Sequence, residues 1–472
     1  MTARTPTPRS SVPITVPAPL RAAVRQHAPE ISLSEVLSAL SYALDLTEGQ
    51  LPGHTNRTCV IGMRLGEELG LPPAEKTALY FALLLKDAGC SSNAAKMAAL
   101  FGSDDRLVKQ RMKLVDWHQP VELALRTAQL CGVGQSVGDR VRHFLGIART
   151  PDVTREVMQI RCDRGADIAL GLGFPGATAA AIRALDEHWC GLGQPTGLKG
   201  DSIPVLARIA NIAQTVDVFH SAGGVRAVTR VIRARRGRWF DPQLVDLVLG
   251  WRRDRDFWQR LTGAVLRDTV LALEPGAHIR RVDSDGLDVV AMAFAEIIDA
   301  KSPFTARHSF NVAEYAQRIA AQLGLSPVER RRLHRAGLLH DIGKLGVSNR
   351  ILDKPGKLDA EERAAVEHHP RFTWEILQRV DAFGDFAWLA AVHHEKLDGS
   401  GYPWGLGSDH LDLPSRILAV ADMYEALSAD RPYRAGMTHE KAMEILIREK
   451  GTKLCATAVD GLAALGGGMA TR

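Results

Sequence analysis

The sequence lacks the features that mark membrane and secreted proteins. No stretch approaches the roughly 20 uninterrupted apolar residues that a bilayer-spanning helix needs. Residues 1–18 are rich in Thr, Ser and Pro and contain no apolar core, so they do not resemble a signal peptide. We therefore expect a cytoplasmic protein with no membrane partner, in which residues 1–30 form a disordered tail.

The sequence also has no closely spaced pair of cysteines, few aromatic residues and a small net charge. The six cysteines are scattered without a Cys-x-x-Cys pair, which predicts free thiols rather than disulfides. Aromatic residues make up only 6% of the chain, while Ala, Leu and Arg are abundant, and this composition favours an all-helical fold. The net charge of +5 is small for 472 residues. The Arg-rich run 230–238 lacks interleaved aromatic residues, so we expect no nucleic acid partner.

The clearest chemical signal is the stretch 338–347, Leu-Leu-His-Asp-Ile-Gly-Lys-Leu-Gly-Val. His340 and Asp341 end an apolar helical run at the point where Gly343 breaks it. An imidazole nitrogen next to a carboxylate oxygen suits Zn, Mn or Fe. Lys344 can carry positive charge toward an anion bound at that metal. A His-Asp pair by itself is more often a capped or salt-bridged surface pair, so the prediction depends on the residues around it.

The same half of the chain supplies further side chains that can bind a metal. They are His308 near the start of a helical segment, His369 before a proline, the pair His393 and His394 after an apolar stretch, and Asp422 in an apolar helix. A buried carboxylate without a partner is costly, so Asp422 should meet a cation or a metal. Five histidines and two aspartates in this pattern are hard to explain as separately satisfied core residues.

Residues 285–452 resemble the HD-GYP domain, a branch of the HD metal-dependent phosphohydrolases that cleaves bacterial cyclic dinucleotides. The residues that give the domain its name are His340-Asp341 and Gly401-Tyr402-Pro403. The segments His-Asp-Ile-Gly-Lys, His-His-Glu…Asp-Gly-Ser-Gly-Tyr-Pro and Asp422…Asp430-Arg431-Pro432-Tyr433-Arg434 also match, in the right order. The resemblance implies an all-α fold with a catalytic domain over residues 285–472.

The resemblance also implies a role for each candidate residue. One divalent metal, iron or manganese, would be held by His308, His340, Asp341 and Asp422, and a second by the bridging Asp341 with His369, His393 and His394. Two metals can supply the hydroxide and the charge neutralisation that phosphodiester hydrolysis needs at neutral pH. Asp341 and Lys344 would be catalytic, and Lys344, Tyr402 and Arg431 would contact the substrate. Some family members hold a third iron through a Glu four residues before the first His, but Phe304 stands there in this chain, so two metals are expected.

The function implied by the resemblance is hydrolysis of cyclic di-GMP to pGpG or GMP in bacterial second-messenger signalling. Hydrolysis of another cyclic dinucleotide such as cyclic GMP-AMP, or of a monomeric nucleotide, is an alternative within the enzyme class. In a different class, the chain could be a low-turnover module whose Gly-Tyr-Pro loop docks diguanylate cyclase domains. The complete set of seven ligands favours the enzyme, since an adaptor has no chemical need for them. Homodimer formation is left open.

The first half of the chain repeats the second half without its metal ligands. His54 aligns with His308 and Lys86 with His340 at one offset of 254 residues (308 − 54 and 340 − 86). Residues 185–198 align with 393–406 at an offset of 208, so the first copy carries 46 extra residues (254 − 208). Lys86 replaces His340, Arg161 replaces His369, Leu185 and Asp186 replace His393 and His394, and Gln214 replaces Asp422, while His54 and Asp87 remain. Because cations repel a divalent ion, we predict a degenerate HD-like domain over residues 31–250 and a linking helix over 251–284.

Overall fold

The computed structural model describes residues 31–150, 152–263, 265–276, 281–430 and 435–466. Over these ranges the protein is helical apart from one antiparallel pair of short strands, β1 (Ile31–Ser32) and β2 (Arg281–Val282). The predicted all-α fold is confirmed. None of the described helices is long and apolar enough to cross a membrane. The predicted tail, residues 1–30, lies outside the described residues.

The first copy forms a helical bundle with an inserted helical segment. Its helices are α1 (Leu33–Thr47), α2 (His54–Glu68), α3 (Pro73–Leu85), α4 (Ala94–Phe101), α5 (Asp105–Met112), α6 (Pro120–Leu130), α7 (Val137–Arg149), α8 (Val153–Gly171), α9 (Gly176–Arg183), α10 (Val205–Arg235) and α11 (Pro242–Gly250). The bundle is built by α2, α3, α8, α9 and α10, and α10 kinks at Gly223 and Gly224. The insertion comprises α4 to α7, in the stretch where the repeat predicts 46 extra residues.

The second copy repeats the bundle with shorter connections. Its helices are α14 (Ser284–Asp299), α15 (His308–Gln322), α16 (Pro327–Leu339), α17 (Asn349–Leu352), α18 (Ala360–Glu367), α19 (His369–Leu377), α20 (Ala387–Ala391), α21 (Leu413–Ser428), α22 (His439–Glu449) and α23 (Ala456–Ala464), with a 3₁₀ turn at Ile342–Gly346. Capping explains where α16 begins, since Ser326 and Glu329 form a reciprocal capping box around Pro327. α15 packs between α16 and α21, and this packing brings the ends of these helices together.

The segment between the copies differs from the single linking helix that we predicted for residues 251–284. It contains a 3₁₀ turn (Trp251–Arg253) and the short helices α12 (Arg255–Arg260) and α13 (Leu266–Ala272). Asp254 accepts a hydrogen bond from the backbone N–H of Phe257 and starts a new helix there. Gly263 and Pro275 lie between and after the two helices, where neither residue favours continued helix.

The two copies share one hydrophobic core. α1 packs on α2 and α3 of its own copy and also on the Ile342–Gly346 turn and α19 of the second copy. Buried apolar residues of both copies form one continuous cluster. A polar contact joins the copies as well: the buried carboxylate of Asp105 accepts a hydrogen bond from the N–H of Asn349 at 2.8 Å and lies 3.6 Å from Lys301 Nζ. The domain boundaries at 250 and 285 stay a prediction, because the copies pack as one body.

Candidate metal centre

Seven side chains of the second copy converge where its helices meet. His308 opens α15, His340 and Asp341 follow α16, His369 opens α19, His393 and His394 follow α20, and Asp422 lies within α21. All seven predicted ligands are therefore brought together, although they are spread over more than 100 residues of sequence. His394 is the most exposed of them, with 24% of its side-chain surface accessible.

Asp341 lies at the middle of this cluster. Its Oδ2 is 3.3 Å from Nε2 of His308 and 3.4 Å from Nε2 of His340. Its Oδ1 is 3.2 Å from Nε2 of His369 and 3.7 Å from Nε2 of His393. Each carboxylate oxygen therefore faces a different pair of imidazoles, which is the arrangement that a carboxylate bridging two cations requires.

Asp422 completes the cluster. Its Oδ1 is 3.4 Å from Nε2 of His308, and its Oδ2 is 3.7 Å from Nδ1 of His394. The cluster contains three sets of ligand atoms close enough to share an ion: His308, His340 and Asp422 in the first, His369, His393 and His394 in the second, and His340, Asp341 and His393 in the third. The third set joins the first two through Asp341.

Backbone carbonyls fix the orientation of three imidazole rings. Nδ1 of His340, His369 and His393 lies 2.7 Å from the carbonyl oxygen three residues earlier, on Gly337, Val366 and Ala390 respectively. A carbonyl can only accept, so each Nδ1 carries the proton and each Nε2 presents a lone pair to the centre. This is how metal-binding histidines are usually held.

Buried atoms without partners show that the cluster fits a divalent metal. Nε2 of His340 and Oδ1 of Asp341 are buried and have no hydrogen-bond partner. Leaving such atoms unpaired costs free energy, and a cation between them removes that cost. Imidazole nitrogens mixed with carboxylate oxygens suit borderline divalent ions such as Zn, Mn or Fe.

The electrostatics of the cluster keep three of the imidazoles neutral and the carboxylates charged. His308 differs, because its hydrogen bonds to Asp341, Asp422 and Glu425 outweigh burial and raise its pKa. Burial lowers the pKa of His394 to about 3 and also lowers the pKa values of His369 and His393. Burial raises the pKa of Asp341, but the nearby His340 and Lys344 more than offset this, so its pKa lies well below the usual range. Neutral imidazole and charged carboxylate are the forms that bind metals.

Sequence reasoning missed the residues that support the ligands. Glu425 accepts a hydrogen bond from Nδ1 of His308, and the Thr373 hydroxyl donates to the carbonyl of His340 at 2.8 Å. Glu425 could have been found, because it lies three residues after Asp422 and thus on the same face of an apolar helix. Nothing in the sequence marks Thr373.

The predicted substrate-binding residues lie at the edge of the cluster. Lys344 Nζ is 2.5 Å from Oδ2 of Asp341, and the ring of Tyr402 lies 4.7 Å from that of His394. Glu395 holds the Gly-Tyr-Pro loop by accepting hydrogen bonds from the backbone N–H groups of Trp404 and Leu406, each at 2.8 Å. Arg431, the third predicted contact, lies outside the described residues.

The corresponding place in the first copy is filled by ion pairs. Lys86 Nζ lies 3.0 Å from Nε2 of His54 and also binds the carboxylate of Asp87. Arg161, in place of His369, pairs with Asp186 at 2.6 Å. The structure therefore places these residues where the repeat predicted them. An ammonium group stands where the second copy has the imidazole of His340, a predicted metal ligand.

The profile of the HD domain family matches residues 150–244 and 292–457, that is, part of each copy. The chain belongs to this family, whose members depend on divalent metals, and within it to the HD-GYP phosphodiesterases. The match to residues 150–244 agrees with an HD-like first copy.

Several known proteins are similar to this chain. A 3′3′-cGAMP-specific phosphodiesterase of Vibrio cholerae is 45% identical over 417 residues, which cover 88% of this chain and 90% of that protein. The crystal structure of a cyclic GMP-AMP specific phosphodiesterase of V. cholerae matches with a TM-score of 0.64 at 40% identity, covering 92% of this chain and 97% of that one. A cyclic di-GMP phosphodiesterase response regulator of Xanthomonas campestris is 37% identical over 172 residues, or 36% of this chain and 45% of that protein.

Proposed function

We propose that this phosphodiesterase hydrolyses 3′3′-cyclic GMP-AMP. The observation that carries the proposal is the 45% identity to a 3′3′-cGAMP-specific phosphodiesterase over 88% of the chain, a span that includes both copies. Two further relatives named for 3′3′-cGAMP match about a third of the chain, 34% and 33%, and so do the relatives named for cyclic di-GMP, for example 36% and 31%. The latter make cyclic di-GMP, our expectation from the sequence, the second candidate. Both groups support a bacterial cyclic dinucleotide as the substrate class.

We also propose that the cluster holds two divalent metals, and that these are iron or manganese. His308, His340 and Asp422 would hold one metal, His369, His393 and His394 the other, and Asp341 both. The distances of 3.2 to 3.7 Å from the two Asp341 oxygens to four imidazoles support this division. When bound, the metals supply Lewis acidity and a nucleophile at neutral pH.

Lys344 and Tyr402 would bind the substrate phosphate beside the metals. The Lys344 ammonium is partly exposed and touches Asp341, so it can meet a phosphate oxygen while staying at the centre. Burial and the nearby Asp422 raise the pKa of Tyr402. Its phenol therefore keeps its proton and can donate a hydrogen bond to phosphate. The proposed phosphate contact of Arg431 rests on the sequence match alone.

A substrate panel tests the proposal. The purified, metal-reconstituted chain should show a higher kcat/KM for 3′3′-cyclic GMP-AMP than for cyclic di-GMP or cyclic di-AMP. Equal or faster hydrolysis of cyclic di-GMP would make the second candidate correct. If no cyclic dinucleotide is hydrolysed by metal-loaded protein, the chain is not an enzyme of this class, and docking of diguanylate cyclase domains becomes the better explanation.

A pair of matched substitutions tests the metal assignment. Asp341→Asn removes a charged oxygen from the proposed bridge, so metal content and turnover should both collapse while the helical circular dichroism persists. Asp87→Asn makes the same change at the equivalent position of the first copy. It should leave metal content and turnover near those of the unaltered chain. Metal analysis that finds two ions in the Asp341→Asn protein would contradict the assignment.

A further inference from the structure

The inserted helix α5 of the first copy contacts the turn of the second copy that carries Lys344. The guanidinium group of Arg106, the second residue of α5, donates a hydrogen bond to the carbonyl oxygen of Gly346. Gly346 ends the Ile342–Gly346 turn, two residues after Lys344. The contact joins residues that are 240 apart in the sequence. A residue of the insertion thus binds the main chain beside the proposed catalytic lysine.

The neighbouring residue, Asp105, binds the segment that follows this turn. Its side chain is buried, and Oδ1 accepts a hydrogen bond from the backbone N–H of Asn349 at 2.8 Å. The side-chain amide of Asn349 in turn donates to the carbonyl oxygen of Lys301 at 2.6 Å. Lys301 lies in the segment that leads to His308. Helix α5 therefore ties the chain after Lys344 to the chain before His308.

The position of the Lys344 ammonium group depends on the main chain of the turn. Its side chain is 24% exposed, and its Nζ lies 2.5 Å from Oδ2 of Asp341. Because lysine has a flexible four-carbon stem, the backbone from which it starts decides where the ammonium can reach. The carbonyl oxygen of Lys344 accepts from the N–H of Val347 at 2.9 Å, so its backbone is part of the same hydrogen-bonded turn. A displacement of Gly346 would therefore move Lys344 as well.

We propose that Arg106 and Asp105 are positioning residues for phosphodiester hydrolysis and that they act through Lys344. Both side chains bind backbone groups, a carbonyl and an N–H, so they fix the main chain around Lys344. The inference rests on the proposed phosphate contact of Lys344, but it does not depend on which cyclic dinucleotide is hydrolysed.

A double-mutant cycle in the metal-loaded full chain tests this role. The substrate is bis-p-nitrophenyl phosphate, a phosphodiester that needs no dinucleotide recognition. Arg106→Ala should lower kcat/KM about tenfold, because small displacements of a group that contacts the substrate slow the reaction strongly. Arg106→Lys should restore part of this loss, since an ammonium group can still donate to the Gly346 carbonyl. In a chain that carries Lys344→Ala, Arg106→Ala should lower kcat/KM less than about twofold.

Two further sets of variants complete the test. Arg126→Ala, at an exposed arginine of α6 in the same insertion, is the control and should leave kcat/KM unchanged. Asp105→Leu removes the acceptor for the N–H of Asn349 and should show the same dependence on Lys344 as Arg106→Ala. Asp105→Asn keeps an acceptor oxygen and should stay within about twofold of the unaltered chain.

A role in folding or in metal binding would give different results. The loss of Arg106 would then lower kcat/KM by the same factor with and without the Lys344 side chain, or it would lower the metal content, and either result would overturn the inference. Unchanged kcat/KM in the Arg106→Ala or the Lys344→Ala chain would also overturn it. Failure to hydrolyse 3′3′-cyclic GMP-AMP would instead refute the proposed substrate, and the cycle measured with bis-p-nitrophenyl phosphate would still decide the role of Arg106.

Discussion

Gly343→Ala is the sharpest test of how the fold positions the metal centre. A Cβ at Gly343 would overlap the carbonyl oxygen of His369 and lie 2.7 Å from the backbone nitrogen of Thr373, whereas real Cβ contacts begin at about 3.0 Å. Both neighbours are backbone atoms at the start of α19, so they cannot rotate out of the way as a side chain would. The first turn of α19 must move, and His369 moves with it.

The size of the effect follows from that displacement. Overpacking of this kind costs about 1–3 kcal/mol of stability. A shift on the order of 1 Å in a group that positions the reaction can cost about 100-fold in rate. Thr373 also moves, and its hydroxyl accepts from the N–H of Gly343 at 3.1 Å and donates to the carbonyl of His340. We therefore expect kcat/KM to fall about 100-fold and metal content to fall with it.

The first copy provides a matched control for this prediction. A Cβ at Gly89 would overlap the carbonyl oxygen of Arg161 and lie 2.6 Å from the nitrogen of Gly165. Gly89→Ala should therefore cost similar stability in thermal unfolding but leave turnover nearly unchanged, because no proposed ligand moves. Gly250→Ala, with nothing within 4 Å of its Cβ and a helical backbone conformation, should leave turnover unchanged and should not lower the Tm. A Gly343→Ala protein within threefold of normal kcat/KM would refute the reasoning.

Three further predictions concern the join between the copies, a buried lysine and the substrate. A chain beginning near Leu273 keeps all seven proposed ligands but loses α1, whose buried Leu37 and Leu40 belong to the shared core. Its Tm in thermal unfolding should therefore fall sharply. A monomeric fragment with an unchanged Tm would show that the core is not shared. Burial lowers the pKa of Lys301 from 10.5 to about 8. Between those pH values the unfolded chain holds a proton that the folded chain has lost, so stability should rise from pH 8 to 10.5 by up to about 3 kcal/mol. Denaturation curves of Lys301→Met should lack this rise, and an equal rise would contradict the assignment. Arg431→Ala should lower kcat/KM for the cyclic dinucleotide about ten- to hundredfold and much less for bis-p-nitrophenyl phosphate; equal losses would mean that Arg431 supports the metals or the fold.

The seven candidate ligands could be singled out from the sequence, because each residue type and its place at a helix end or within an apolar helix can be read from its own segment. His340 and Asp341 sit at a helix end that the apolar run and Gly343 already define. Asp422 stands out in the sequence because a carboxylate in an apolar helix needs a partner. Thr373 could not be predicted in the same way, since a threonine in α19 acquires its role only through contact with the carbonyl of His340, which lies on another segment.

The packing of the two copies could not be read from the sequence. The apolar pattern of α1 predicts a buried helix but does not say which neighbours bury it, and α1 contacts the turn after Asp341 as well as its own bundle. The prediction of a single linking helix was also wrong. Leu261 to Leu273 has helical periodicity, but Gly263, which disfavours helix, lies in the break between α12 and α13.

Comparison of the copies separates the residues that the fold needs from those that the chemistry needs. Gly89 and Gly343 both approach a backbone carbonyl, and Asp45 and Asp299 both bind the first turn of the next helix through Thr55 and Ser309 respectively. These positions are the same in both copies, whereas most of the predicted metal ligands of the second copy have no counterpart in the first. The lost ligand at Lys86 is not replaced by an apolar residue, because Asp87 stays buried and charged and still requires a cation. Burial and the nearby Lys86 ammonium lower the pKa of His54 to about 4, so its imidazole stays neutral and can accept from that ammonium. The ammonium group of Lys86 therefore supplies the positive charge that a metal would supply in the second copy. For this reason we expect the first copy to fold without any metal.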